Sequence, residues 1–210
     1  MNKTLKNEKF LFAIAKSRLI VSRIFGLLII ALLIFTGHSF QQGKTVDILF
    51  EISGLLLISI CSFGRLWALM YISGYKSSTL ITEGPYSIVR HPLYFFSFIG
   101  AIGIGLASEN ILILALIISF YLVYYPFTIL AEERKLTYKF GQSYTDYTSK
   151  VPRFIPKFSL YREPEFYNVT IRKLAWNFAE AMLLVWIFIL MHFIELLQDA
   201  GVLKVYWRIP

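Results

Sequence analysis

ILILALIISFYLVYYPF, residues 111–127, has no charged side chain in seventeen positions. At about 1.5 Å per residue, a helix of that length approaches the roughly 30 Å hydrocarbon core of a bilayer, so this stretch puts the chain in a membrane. The composition agrees: of 210 residues, 57% are hydrophobic and only 16% charged, too little polar surface to cover a water-soluble domain. A soluble cytosolic enzyme is excluded on that ground. The length suits one compact domain. Cys61, the single cysteine, rules out an internal disulfide and a cysteine-based metal cluster, and no metal is expected.

Four other apolar stretches flank this one. Residues 19–40 follow Lys3, Lys6, Lys9, Lys16 and Arg18, interleaved with Phe10, Leu11, Phe12 and Ile14. That lead-in reads as a basic interfacial amphipathic segment. No small-residue cut site follows Phe35, so residues 19–40 are expected to stay as a first span. A second covers 48–70, with Glu51 and Arg65 near opposite ends. The third, 93–107, is short: its helix covers only about 22 Å. Ser108-Glu109-Asn110 should turn it into an antiparallel hairpin with the fourth, 111–131, where Pro126 predicts a kink. The fifth, 174–197, contains Glu180, His192 and Glu195. The expected fold class is an all-α integral membrane protein of about five transmembrane helices. Three parts are expected: 1–70 with the amphipathic segment and two spans, a core over 71–156, and an extension over 157–210 with the fifth span.

Net charge is +8, and its distribution has a purpose. Six cations (Lys3, Lys6, Lys9, Lys16, Arg18, Arg23) lie at or before the start of the first span, against Lys44 alone in the first loop. Residues 132–173 hold nine, and the tail only Lys204 and Arg208. This bias predicts a cytoplasmic N-terminus, with the 71–92 loop and the 132–173 segment on the same face. Orientation and anionic headgroups therefore account for the charge, and nucleic acid is not an expected partner.

Two segments on that face are too specific in composition to be tethers: Thr82-Glu83-Gly84-Pro85-Tyr86-Ser87-Ile88-Val89-Arg90-His91-Pro92-Leu93-Tyr94, and Glu132-Glu133-Arg134-Lys135-Leu136 running on to Phe140-Gly141 and Tyr144 to Tyr147. Gly84-Pro85 makes a turn, and Pro92 suits the first turn of a helix. Free N–H groups of that turn would suit an anionic or carboxylate-bearing ligand. Two carboxylates at a membrane boundary are costly without a cation, so a cationic ligand would serve them.

These residues, with Val151-Pro152-Arg153-Phe154-Ile155-Pro156, resemble the isoprenylcysteine carboxyl methyltransferase family over roughly 65–156. Its superfamily also holds phospholipid N-methyltransferases and, more distantly, the cofactor-binding part of sterol reductases. The resemblance implies S-adenosyl-L-methionine as methyl donor. It puts the cofactor contacts on the backbone of Ser78, Thr79, Leu80 and Ile81, on Tyr86, on His91, Pro92, Leu93 and Tyr94, and on the acidic pair Glu132 and Glu133. Physical reading agrees: a carboxylate neutralises the donor's ammonium, aromatic faces hold adenine and sulfonium, and N–H groups suit its carboxylate. Gly100, Gly103 and Gly105 fit close helix packing. The implied acceptor is lipophilic and enters from the bilayer, a prenylated cysteine carboxylate first and a phospholipid or other lipid headgroup next. A carboxylate acceptor needs no general base, and no residue stands out as one, so the catalytic residue is left unassigned.

The resemblance departs in three places. Phe96 stands where the family usually has glycine. Thr128 stands where the prenylcysteine enzymes carry an arginine held to bind the substrate carboxylate. Residues 157–210 extend past the usual end. Thr128 and Arg153 are the substrate-side candidates, Arg153 as holder of an anionic headgroup or as an interface anchor. Plainer readings stand beside these. His91 would cap the third helix, Glu180 would pair with Arg172 or Lys173, and His192 would be a packed or interfacial residue. Tyr121, Tyr124 and Tyr125 would form an aromatic belt or line the lipid access. Rival functions are an NADPH-dependent reductase-like protein and a non-catalytic membrane adaptor. No internal repeat supports a transporter.

Overall fold

The computed structural model describes residues 2–38, 44–73, 75, 79–204 and 207–209. Its helices are α1 (Asn2–Phe35), α2 (Lys44–Ile72), the short α3 (Pro85–Ile88), α4 (Pro92–Ala107), α5 (Ile111–Phe140), α6 (Gln142–Lys150), α7 (Ile171–Ala181) and α8 (Leu183–Asp199). Two three-residue strands, β1 (Thr36–His38) and β2 (Trp207–Ile209), pair in parallel and tie the end of α1 to the tail.

Among the described residues, four helical stretches are long and apolar enough to cross a membrane: Lys16–Phe35, Thr45–Ile72, Ile111–Phe140 and Ile171–Gln198. This is the plan of a multi-pass membrane protein, and large apolar side chains such as Leu27, Phe63, Val123 and Trp186 point outward from it. The third expected span is the 16-residue α4, which is shorter than these four. The first ends at Phe35 rather than residue 40, and its basic lead-in is continuous with it in one helix. Gln198 explains the stop, because its Nε2 donates to the carbonyls of Leu33 at 3.0 Å and Ile34 at 3.1 Å, groups the end of a helix leaves open. The fifth expected span lies within Ile171–Gln198, where Met182 separates α7 from α8.

α4 lies closest to α2, more so than to its hairpin neighbour α5. Glycines set that approach. A Cβ on Gly103 would fall 2.8 Å from the Gly54 carbonyl oxygen, and one on Gly100 would fall 2.6 Å from Cys61 Sγ. Gly105 faces the other way, its Cβ position 2.6 Å from Leu114 on α5. Phe96 finds its small neighbour on the partner helix, since a Cβ on Gly64 would meet the Phe96 ring at 2.2 Å. At the turn between α4 and α5, Asn110 Oδ1 accepts from the Ile113 N–H at 3.1 Å and caps α5. Helix α5 then runs through Pro126 and past residue 131 to Phe140, carrying Glu132 and Glu133 out of its apolar part.

Candidate active site

The turn before α3 requires glycine. Gly84 has φ 58°, and a Cβ there would fall 2.3 Å from the Tyr71 ring. Pro85 and Pro92 open α3 and α4 with φ already set for a helix. The chain after α6 closes over this turn. Gly84 N–H donates to the Arg162 carbonyl at 2.8 Å, Arg90 N–H to that of Pro152 at 2.9 Å, and Lys157 N–H to that of Ile88 at 2.9 Å. Donors expected to face an anionic ligand are thus partly taken by residues 152–162. The first turn of α4 differs: His91 occupies its N-cap position but its side chain makes no capping bond, so the plainer reading of His91 as a cap does not hold.

His91 is instead turned to Glu133. Its Nε2 lies 3.3 Å from Glu133 Oε1, which also accepts from Arg90 Nη1 at 3.2 Å and Arg153 Nε at 3.0 Å; Oε2 accepts from Arg153 Nη2 at 2.7 Å. Arg90 reaches further, with Nε donating to the Val151 carbonyl at 2.7 Å and Nη2 to that of Thr148. One carboxylate therefore joins the start of α4, the polar end of α5 and the exit of α6. A buried carboxylate needs such company, since bonds from cations offset its lost hydration. Glu133 in turn holds the Arg153 guanidinium above its ordinary pKa.

Successive helical residues diverge by about 100°, so Glu132 faces elsewhere. Its Oε2 accepts from the Tyr94 hydroxyl at 2.8 Å. That hydroxyl also accepts from Arg18 Nη1 of α1. Tyr86 lies in the same neighbourhood: burial, then the charge of Glu132, push its phenol well above the ordinary range. The Tyr86 hydroxyl is buried without a hydrogen-bond partner among the described residues, as is that of Tyr144. Beneath them Tyr144, Tyr147 and Val151 pack together, and the Tyr147 hydroxyl donates to the Tyr86 carbonyl at 2.7 Å.

The other anticipated residues sort as follows. Leu80 packs on the Tyr144 group, while Ile81 and Leu93 pack on Tyr71 and Tyr86, which brings this part of the loop beside Tyr86. Pro92 is fully buried, and Thr79 is exposed with its N–H 3.5 Å from the Tyr75 carbonyl. Ser78 lies outside the described residues. Arg153 joins the cluster with its side chain 57% exposed. Thr128 does not join: it is 1% exposed, with its hydroxyl 3.4 Å from the Tyr124 carbonyl of its own helix.

One expected pairing is corrected. Glu180 pairs with Arg65 at 2.9 Å, not with Arg172 or Lys173, because Arg65 crosses from α2 to α7 while its Nη1 donates to Ser97 on α4. Tyr124 and Tyr125 face α1, with the Tyr124 hydroxyl donating to the Ile14 carbonyl at 3.0 Å and Tyr125 within 3.4 Å of Ser22 Oγ; the Tyr121 hydroxyl is buried against the Tyr94 carbonyl. Sequence reasoning missed Arg18, which counted only toward orientation. Its signal was its spacing, on one helix face with Ile14, Ser22 and Phe25. A separate groove, lined by Glu51, Asn110, His192 and Glu195 among others, lies at the far end of α4 from His91.

The comparison with known proteins covers Tyr86, Arg90, His91, Tyr94, Glu132 and Glu133. The Phospholipid methyltransferase family matches residues 47–143. The chain is 34% identical to the cobalt-zinc-cadmium resistance protein CzcN of Cupriavidus metallidurans, over 91% of this chain and 88% of that one. It is 32% identical to the nickel-cobalt-cadmium resistance protein NccN of Alcaligenes xylosoxydans xylosoxydans, over 87% and 85%. A shorter stretch, 39% of this chain and 34% of the other, is 40% identical to the protein-S-isoprenylcysteine O-methyltransferase of Schizosaccharomyces pombe.

Proposed function

Since this chain belongs to the Phospholipid methyltransferase family, we propose that it moves a methyl group from S-adenosylmethionine to a lipophilic acceptor at the cytoplasmic face of the membrane. A prenylated cysteine carboxylate is the leading acceptor and a phospholipid headgroup the next. The observation that carries this reading is the division of the acidic pair. Glu133 is spent on Arg90, His91 and Arg153, whereas Glu132 accepts from the Tyr94 hydroxyl and its charge reaches the unpartnered Tyr86 hydroxyl. That side of the site fits an ammonium-bearing ligand: a carboxylate for the charge, a phenol oxygen as a further acceptor, and aromatic faces for a sulfonium.

When bound, the donor supplies an electrophilic methyl on a positively charged sulfur. The chain's part is to hold and align, and to keep water out. Glu132 neutralises the ammonium, the uncapped first turn of α4 offers N–H groups to the carboxylate, and Leu80, Ile81 and Leu93 provide an apolar wall. The Glu133 cluster fixes the start of α4 against α5. The half-exposed Arg153 stands at the rim, able to meet an anionic headgroup with its outer edge. The names of the two long relatives add a context, resistance to transition-metal ions, in which the methylated product would act.

Incubation of the full chain in nanodiscs with tritiated S-adenosylmethionine and either N-acetyl-S-farnesylcysteine or phosphatidylethanolamine tests the reading. Label should pass to one of the lipids and not with His91→Ala. Saturable binding of NADPH, with none of S-adenosylhomocysteine, would sink it in favour of a reductase-like protein.

A further inference from the structure

Helix α1 lies outside the matched family region, which begins at residue 47, yet it delivers a cation to the site. Arg18 Nη1 donates to the Tyr94 hydroxyl, and the guanidinium carbon stands 5.5 Å from the centre of the Tyr94 ring. This placement is built rather than incidental. Around Arg18, α1 is seated on α5 by the Tyr124 bond to Ile14, the Ser17 hydroxyl 3.3 Å from Tyr124, the Ser22 hydroxyl 3.4 Å from Tyr125, and a stacked Phe25–Phe120 pair with ring centres 4.0 Å apart. A guanidinium has five N–H donors in a planar fork. Among the described residues the Tyr94 hydroxyl is the hydrogen-bond partner recorded for Arg18, so most of the fork is left over.

The charges point the same way. Arg18, Arg90 and Arg153 surround this site with three guanidiniums against the two carboxylates of Glu132 and Glu133. A methyl donor with a sulfonium, an ammonium and one carboxylate adds a further net positive charge. A phospholipid amine, an ammonium beside a phosphate, arrives with no net charge and keeps its ammonium after methylation, so it does not offset this excess. A lipophilic anion balances it.

We propose that Arg18 is the residue that grips the anionic group of the lipid-borne carboxylate acceptor put first above. This deepens the methyltransferase reading and rests on it. In the reaction a carboxylate oxygen bonds to the methyl carbon, the carbon–sulfur bond breaks with its electron pair going to sulfur, and a neutral ester and a neutral thioether form without proton transfer. The charge that Arg18 holds disappears in that step. A neutral ester loses the charge-assisted bond, so the same residue that recruits the acid favours release of the product.

The test compares acid and ester on the full chain in nanodiscs loaded with S-adenosylhomocysteine. Affinity is measured for N-acetyl-S-farnesylcysteine against its methyl ester, and for oleate against methyl oleate to separate a prenylated from a fatty-acyl source. The wild-type chain should prefer the acid in at least one pair, by roughly tenfold or more. Arg18→Gln should abolish that preference, Arg18→Lys should keep part of it, and both should bind S-adenosylhomocysteine within about threefold of wild type. Equal affinity for acid and ester in both wild-type pairs, or a preference unchanged in Arg18→Gln, overturns the proposal. Loss of S-adenosylhomocysteine binding in Arg18→Lys and Arg18→Gln alike also overturns it, since Arg18 would then serve the donor side. Failure of the wild-type chain to bind S-adenosylhomocysteine would instead strike the methyltransferase reading beneath it.

Discussion

Both ends of α4 gather a histidine and two carboxylates, with opposite results. At the His91 end, one histidine and the Glu132–Glu133 pair stand among Arg18, Arg90 and Arg153, His91 is 5% exposed, and Glu133 accepts bonds as short as 2.7 Å. At the other end, His192 is half exposed, and its Nδ1 lies 3.5 Å from Glu195 and 3.7 Å from Glu51. The second set is a solvated group of charges of the kind that contributes little to stability. A cluster's composition therefore does not mark it as a site. Burial does, because a charge taken from water must be answered by bonds, and those bonds fix geometry.

The sharpest way to break the comparison is Glu133→Gln. It leaves Arg90 with its side chain 17% exposed and no carboxylate, and should cost about 3 kcal/mol or more, read as a fall in the melting temperature of the purified protein. Gly84→Ala should follow at about 1–3 kcal/mol on the same scale, because positive φ and the Tyr71 ring both oppose a Cβ. Tyr86→Phe sharpens it differently: removing an unpartnered buried hydroxyl should leave the melting temperature unchanged or higher, while S-adenosylhomocysteine affinity falls by roughly 2- to 10-fold. His192→Gln should be smallest, within about 0.5 kcal/mol in stability and without effect on methyl transfer. A large loss there would put the outer group on a par with the inner one.

What was legible in the sequence follows from the range of each interaction. The membrane class, the stretches that became α2, α5 and most of α1, and the glycine packing of α4 are local patterns of hydropathy and residue size, and they read directly. The division between Glu132 and Glu133 was not legible, since neighbours in sequence differ only in which way a helix turns them. Nor was Arg18, whose partner Tyr94 is 76 positions away and whose charge already had a use in orientation. Glu180 shows the same gap: its nearby cations were the obvious partners, and Arg65, 115 positions distant, took it because α7 packs across α2. The turn residue Met182 between α7 and α8 carried no hydropathy signal, since residues 181–191 are apolar throughout.

The central claim is that one carboxylate of the pair faces a ligand and the other faces the protein. Calorimetric titration of S-adenosylhomocysteine into wild-type and Glu132→Gln protein, with melting temperatures taken alongside, addresses it most directly. The division predicts saturable wild-type binding that weakens by roughly 10- to 100-fold in the variant, with no fall in melting temperature. Unchanged affinity, or a melting temperature that drops as far as that of Glu133→Gln, would contradict it.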